Sequence, residues 1–476
     1  MDSYSDNFMI TFRYSRGFNL FNCIVYYSVL AKKEIQITMK YKLKKNTSMK
    51  IKTILYLLFI VSFISCKNET RLEQKLKEIS NIQFEAIQSD SIYNESYEIW
   101  YTQKVDNNDE NSPRFKQRVV INHVGFDKPT VVILEGYNIV RTGAGELSKL
   151  LNANQISIEH RFFDDSKPDS IPWEYLTIKQ AADDQHQIIE SLKKIYTGKW
   201  ISTGISKGGQ TTMYHKRFYP DDVDASVVYV APLNLSREDK RITRHLETVG
   251  TKECRDKIRN FQINLFEKKD KILPLLEEYA RKKQYTFDII GIDRVYDLNV
   301  LEYSFAFWQW SGHCSTIPDD DASLDQIFYH WQTTAPFSFF YDQDISNGTV
   351  FMYQALTEIG FYDYNIEPFR KYLKDTVDIT FDFRLPANID VSYNISVMED
   401  INWWLHENGN NMLYIYGEYD PWGATAVEPS ERTNSIKMVN PHGNHATRIK
   451  SFPVDMRNKI YATLENWLDL EIEQKP

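Results

Sequence analysis

The sequence predicts an α/β protein, a mainly parallel sheet flanked by helices, with a large helical insertion late in the chain. Three observations predict it. The first is Lys199–Gln210, KWISTGISKGGQ. There a β-branched run, Trp200-Ile201-Ser202-Thr203, enters Gly204-Ile205-Ser206-Lys207-Gly208, with Gly209 behind it and helix-compatible residues as far as Phe218. A serine raised on a strained strand-to-helix turn needs glycines two residues to either side, where a side chain would meet the turn or the helix. The second is chain order, Ser206, then Asp420, then His445. The third is a stretch of charged, helical, aromatic-rich sequence over 235–395 without the strand–helix rhythm on either side of it. Together they define an α/β-hydrolase sheet with a large helical cap inserted between nucleophile and acid.

Each element can be justified in turn. Tyr97–Val105 and Phe115–Val124 alternate like antiparallel strands, whereas Thr130–Leu134 is continuously apolar and Gln155–Glu159 reads as a further strand. Ile178, Ala181, Ala182, Gln185, Ile188, Ile189, Leu192 and Ile195 lie on one helical stripe. Asp224–Val230 returns to the sheet. Met412–Tyr416, MLYIY, is a buried strand that delivers Asp420, fixed by Pro421, to its end. Ser435–Val439 then leads into Asn440-Pro441-His442-Gly443-Asn444-His445, before a last helix over Pro453–Leu468.

Chemistry follows from these positions. His445, at the end of the glycine-containing loop, takes the Ser206 proton; Asp420 fixes its tautomer and stabilises the imidazolium. His442 is read as a loop residue. The turn Glu135-Gly136-Tyr137-Asn138 offers one oxyanion N–H, from Gly136 or Tyr137, and Lys207 offers another as the residue after the serine. The Lys207 side chain is read as a solvated or supporting charge rather than a base, since Asp420 and His445 fill that role.

Composition fits a large enzyme. The chain has 476 residues, 42% hydrophobic and 14% aromatic, enough for a substantial core. Its net charge is -9, and the first 65 residues are basic, so the body is more acidic still. An acidic body argues against nucleic acid as partner. No zinc spacing, phosphate loop or dinucleotide fingerprint occurs, and no cofactor or metal is expected; Gly143-Ala144-Gly145 is read as a loop. Oligomeric state is not legible.

The N-terminus reads as an export signal that begins late. Met49-Lys50-Ile51-Lys52 is basic and Ile54–Ile64 is apolar, too short for a bilayer span of roughly 20 residues. Phe63-Ile64-Ser65-Cys66 resembles a bacterial lipoprotein box, with Cys66 as the lipidated residue and Phe63 where leucine is usual. The expected organisation is therefore 1–48 upstream of the true start, 49–65 signal, 66–91 tether, 92–234 with 396–476 as the hydrolase domain, and 235–395 as a helical cap domain. The expected location is outside the cytoplasm, anchored to a membrane only through lipid. Cys254 and Cys314 either form one disulfide or remain two thiols.

A family resemblance follows from Glu159-His160-Arg161-Phe162-Phe163, Tyr175-Leu176-Thr177, Gln180-Ala181-Ala182-Asp183, the Ser206-Lys207-Gly208-Gly209 elbow and Asp420-Pro421-Trp422. With Tyr353-Gln354, Thr357-Glu358 and Gly360-Phe361, these resemble secreted proline-directed serine peptidases. They are similar to the bacterial prolyl tripeptidyl aminopeptidases and, more distantly, to the lysosomal Pro-Xaa carboxypeptidase and dipeptidyl peptidase II group. Ala355 stands where the lysosomal members have cysteine. The resemblance implies release of short peptides from a free N-terminus through an acyl-enzyme, with a peptide as the partner. Phe305, Phe307, Trp308, Trp310, Phe328, Trp331, Phe337, Phe339 and Phe340 cluster in the cap and Trp422 adjoins the acid. Aromatic faces suit a proline ring, although most of these side chains are expected to form the cap's core. Glu358 is the first candidate to hold the substrate amine, with Glu302 and Glu135 behind it. The same triad would equally serve an esterase.

Overall fold

One nine-stranded sheet runs in the order β1-β2-β3-β5-β4-β6-β7-β8-β9. The computed structural model describes residues 69–310, 313–374, 379–386 and 388–472, so the signal, Cys66 and everything before them lie outside the described residues. A short helix α1 (Arg71–Lys77) precedes β1 (Ile82–Ile87), β2 (Glu95–Lys104) and β3 (Arg114–His123), which pair antiparallel. From β5 (Asn154–Ile158) through β4 (Thr130–Leu134), β6 (Trp200–Ile205), β7 (Ala225–Tyr229) and β8 (Met412–Gly417) to β9 (Ile436–Asn440), every pairing is parallel.

The strand types follow their sequences. TVVIL, ASVVY and MLYIYG are apolar along both faces, as strands covered by helices on both sides must be, whereas β2 alternates. Successive residues of β4 serve opposite cores, because the pleat turns each side chain to the other face. Val131 belongs to one core cluster with Ile460, Tyr461 and Leu464 of α12 (Val454–Leu468), while Val132 belongs to another with Ile188, Ile189 and Leu192 of α3 (Ile178–Lys193). Thr177 starts α3 by accepting the Gln180 N–H on its side chain. A short helix α2 (Glu146–Leu150) lies between β4 and β5, and α4 (Lys207–Phe218) follows β6 directly.

The insertion is helical as expected: α5 (Lys240–Leu246), α6 (Lys252–Glu267), α7 (Lys269–Lys283), α8 (Ile292–Trp310), α9 (Leu324–Thr334), α10 (Asp342–Gln354) with a π-helical turn Ala355–Ile359, and α11 (Ile395–Asn408). It is not a separate body. Trp308, Trp331 and Phe337 share one hydrophobic cluster with Met213, Val228 and Tyr414 of the sheet layer, and the chain from Leu72 onward is one compact unit. Most of the cap aromatics are spent on that core. The Cys254–Cys314 pair forms a disulfide with Cα atoms 5.5 Å apart, tying α6 to the segment after α8.

The expected tether at 66–91 needs correction from Leu72 onward. Leu72 and Leu76, one helical turn apart, are fully buried against Tyr97 and Ile99, and β1 adds an edge strand to the sheet. The polar residues between them are the wet face of a short amphipathic element. Among the described residues no helix is long and apolar enough to cross a membrane.

The Glu159–Phe163 segment leaves β5 carrying a buried guanidinium. Arg161 is fully buried and bidentate to Asp184 of α3, at 2.7 and 2.8 Å; it also donates to the carbonyls of Val105 (3.0 Å), Tyr175 (2.7 Å) and Lys104 (3.2 Å). Removing one member strands the other charge, so Arg161→Met should destabilise the fold by about 3–5 kcal/mol in urea denaturation. A loss below about 1 kcal/mol would show that the pair does not hold this segment to α3.

Candidate active site

Ser206 sits between β6 and α4 at φ 56°, ψ -120°, a conformation L-residues avoid. Neighbouring backbone holds it there: its N–H donates to Tyr229 O (2.8 Å) and its carbonyl accepts from Gln210 N (3.0 Å). The glycines are required by close approach. A Cβ on Gly204 would run into the Gly208 carbonyl, and one on Gly136 would lie 2.6 Å from both the Gly208 nitrogen and the Lys207 carbonyl carbon. The loop after β4 therefore rests its backbone directly on the elbow. Backbone N–H groups at such a junction can face an oxyanion.

Asp420 is fully buried at the end of β8, where its Oδ1 accepts the Trp422 N–H (3.2 Å) and opens the short 3₁₀ turn Pro421–Thr425. Its Oδ2 lies 2.7 Å from His445 Nδ1. That contact puts the imidazole proton on Nδ1 and leaves Nε2 as the basic nitrogen. The histidine is buried, its backbone N–H donates to Gln309 O (3.1 Å), and the Trp310 ring meets it edge-on at 5.2 Å. His442 is different: exposed, at φ 58°, and bonded through Nδ1 to the Tyr419 hydroxyl (2.6 Å).

Ser206, Tyr137 and Lys207 open onto a cavity of about 350 Å³ between the sheet and the insertion. Trp422 and Glu302 line it too, with Phe305, Phe361 and Tyr362. Glu302, on α8, accepts hydrogen bonds from the hydroxyls of Tyr362 (2.9 Å) and Tyr364 (2.8 Å). Burial pushes its carboxyl up to about 7, against the pull of those two hydroxyls. Trp422 packs edge-on to Phe305 at 5.2 Å beside it. Trp310 and Phe339 reach the same cavity, whereas Phe307, Trp308, Trp331, Phe337 and Phe340 are core.

Two of the three candidates for the substrate amine need correction. Glu358 is absent from the cavity lining; its Oε2 accepts the Ile178 N–H (2.8 Å) and so satisfies the first turn of α3. It is carried on the π-helical turn Ala355–Ile359. Glu135 is likewise absent from the lining, and burial raises its carboxyl to about 7. Of the two readings of the Lys207 side chain, solvated or supporting, the structure matches the second. Lys207 is 3% exposed, its Nζ donates to Gly136 O (2.7 Å) over the Tyr137 and Phe163 rings, and burial pushes its ammonium well below the ordinary lysine value.

Sequence reasoning missed Tyr362 and Tyr364, the partners of Glu302. The alternation Phe361-Tyr362-Asp363-Tyr364, which sets two tyrosines on one side of an extended segment, was the available signal. Among the described residues, one cluster has metal-type donors within 4.8 Å of one another, His186, Glu190 and Asp222. The Lys193 ammonium already lies 3.0 Å from Glu190 and 3.7 Å from Asp222, and none of the four lines the Ser206 cavity.

A strained serine, a histidine bound to a buried aspartate and backbone donors on a glycine junction define an α/β-hydrolase built for acyl transfer. The chain belongs to the PS-10 peptidase S37 family, whose model matches residues 75–473. It is 31% identical over 375 residues to a prolyl tri/tetrapeptidyl aminopeptidase of Streptomyces mobaraensis, covering 77% of this chain and 79% of that one. Among solved structures it is similar to a proline iminopeptidase of Mycobacterium smegmatis (14% identity, TM-score 0.38, 77% of this chain and 98% of that one). It is also similar to MenH of S. aureus (14% identity, TM-score 0.35, 73% and 98%).

Proposed function

We propose that this protein is a serine exopeptidase that removes short peptides, ending in proline, from a free N-terminus. Ser206 attacks the scissile carbonyl, His445 takes its proton and returns it to the leaving amine, and Asp420 stabilises the imidazolium. Backbone N–H groups of Lys207 and of the Gly136–Tyr137 loop hold the oxyanion. As the scissile C–N bond breaks the new amine departs, and the N-terminal peptide stays esterified to Ser206 as an acyl-enzyme until water hydrolyses it. The observation that carries the exopeptidase reading is Glu302, a buried carboxylate in the cavity that opens onto Ser206. Two tyrosine hydroxyls hold it and aromatic rings surround it, a site suited to an ammonium group. Family membership and the aminopeptidase relative support the same substrate class.

Ser206→Ala should lower turnover by several orders of magnitude and abolish fluorophosphonate labelling while the protein stays folded. His445→Ala should match it, and His442→Ala should stay within about tenfold of wild type. The opposite result for the two histidines would move the base three residues upstream.

Anchoring by Glu302 has its own signature. Glu302→Gln should reduce kcat/KM on free-amine peptides by about 2–5 kcal/mol in transition-state binding and collapse discrimination against N-acetylated ones. Protonation neutralises Glu302, so kcat/KM for free-amine substrates should fall as pH drops below about 7, more steeply than for blocked ones. Retained discrimination in Glu302→Gln would place the anchor elsewhere.

The location is part of the proposal. Met49–Ile64 has the pattern of an export signal, Cys66 follows it as the acylation site, and the Cys254–Cys314 disulfide suits an oxidising compartment. A fatty-acid probe should label wild-type protein in cells, and Cys66→Ser should release it from the membrane fraction. Unlabelled, soluble wild-type protein would favour an unlipidated secretory signal.

A further inference from the structure

Lys207 contributes to the junction twice over. Its backbone N–H opens α4, where helix geometry leaves the first donors without an intrahelical acceptor. Its side chain turns back beneath the neighbouring loop, and Nζ donates to Gly136 O at 2.7 Å. The next carbonyl, of Tyr137, accepts from His160 N at 3.0 Å. Both carbonyls that flank the Tyr137 N–H are therefore pinned, and that N–H donates to no protein group among the described residues. The C=O and N–H of one trans peptide point in opposite directions. A lysine that pulls the Gly136 carbonyl to one side thereby aims the Tyr137 N–H to the other.

We infer that Lys207 is a positioning residue, whose Nζ fixes the Gly136–Tyr137 peptide so that the Tyr137 N–H faces the oxyanion formed on Ser206. Several features favour this over a merely structural amine. Among the described residues Lys207 makes no ion pair within 4 Å, its Nζ donates only to Gly136 O, and Glu358 attracts it from farther away; the Tyr137 and Phe163 rings lie 5.5 and 5.2 Å from Nζ. A buried lysine carries a desolvation cost that a leucine or methionine would avoid. The carbonyl it holds belongs to a loop whose glycine is already in backbone contact with the elbow, so a small rotation of that peptide misdirects a donor. A hydrogen bond donated to the Gly136 carbonyl also polarises the peptide and strengthens its N–H as a donor.

The inference rests on the Ser206 acyl-transfer reading, and its test separates the two. Wild type, Ser206→Ala and Lys207→Met are compared for kcat, KM, affinity for a free-amine tripeptide boronate ending in proline, and affinity for the corresponding carboxylate product. Removing an oxyanion donor outright costs about 100- to 1000-fold, so misdirecting one should lower kcat in Lys207→Met by about 10- to 100-fold. KM should stay within about threefold, boronate affinity should fall in step with kcat, and product affinity should stay within about threefold. A purely structural lysine would weaken boronate and product together, which overturns the inference, as does kcat within threefold of wild type. Loss as complete as in Ser206→Ala would make Lys207 a base and also overturn it. Failure of the boronate to bind wild type would instead remove the Ser206 reading itself. Should Lys207→Met not fold, a structure of the wild-type boronate complex decides the matter. Tyr137 N within about 3 Å of a boronate oxygen, with Nζ still on Gly136 O, supports the inference. A boronate oxygen held without Tyr137 refutes it.

Discussion

The close packing of three backbone segments, the ends of β4 and β6 and the start of α4, is the constraint on which the rest of the site depends. Gly136, Gly204 and Gly208 meet there without side chains between them, and Ser206 is forced to positive φ at the centre. Such strain persists only where the surroundings over-determine it. Here β6 lies between β4 and β7 in the parallel part of the sheet, and the Ser206 N–H is tied to the end of β7. The elbow cannot relax without breaking strand pairing on both sides.

The acid and the histidine reach the same place by a different route. Asp420 and His445 end adjacent strands, β8 and β9, whose parallel register brings their following loops together at the carboxyl edge. Open α/β sheets bind ligands along that edge, because every strand delivers its loop there. The insertion then closes the opposite side. Its core is continuous with the sheet's own, so the walls of the cavity are as rigid as the fold, and Glu302 is held in them by two tyrosines rather than projecting from a mobile loop. A preorganised carboxylate of this kind loses little entropy when it meets an ammonium, and its desolvation makes the neutral form competitive near pH 7.

A buried lysine and a half-buried glutamate near the elbow show how charged residues are put to different structural uses. Glu358 is partly a helix cap, accepting a main-chain N–H at the start of α3. Lys207 is a main-chain clamp, donating to a carbonyl of the loop after β4. Neither needs contact with a substrate to matter for the geometry of the serine. Both obey the rule that buried polar groups find a partner, and in both cases the partner is backbone.

What the sequence determined by itself was everything governed by local chemistry. The glycines around Ser206, the proline after Asp420 and the loop before His445 are turn requirements that leave their mark within a few residues, and apolar runs such as TVVIL and MLYIY announce buried strands. Strand sequence, chain order and the helical character of 235–395 were legible for the same reason. The tertiary structure alone decided matters that depend on which distant groups meet. It put Glu302 rather than Glu358 in the cavity wall, buried Lys207, paired Cys254 with Cys314 across 60 residues, and folded Leu72–Ile87 onto the sheet where polar composition had pointed to a tether. A carboxylate in an aromatic-rich segment reads the same whether it faces a cavity or a helix end; only packing at long range distinguishes them, and packing is not a local property of the chain.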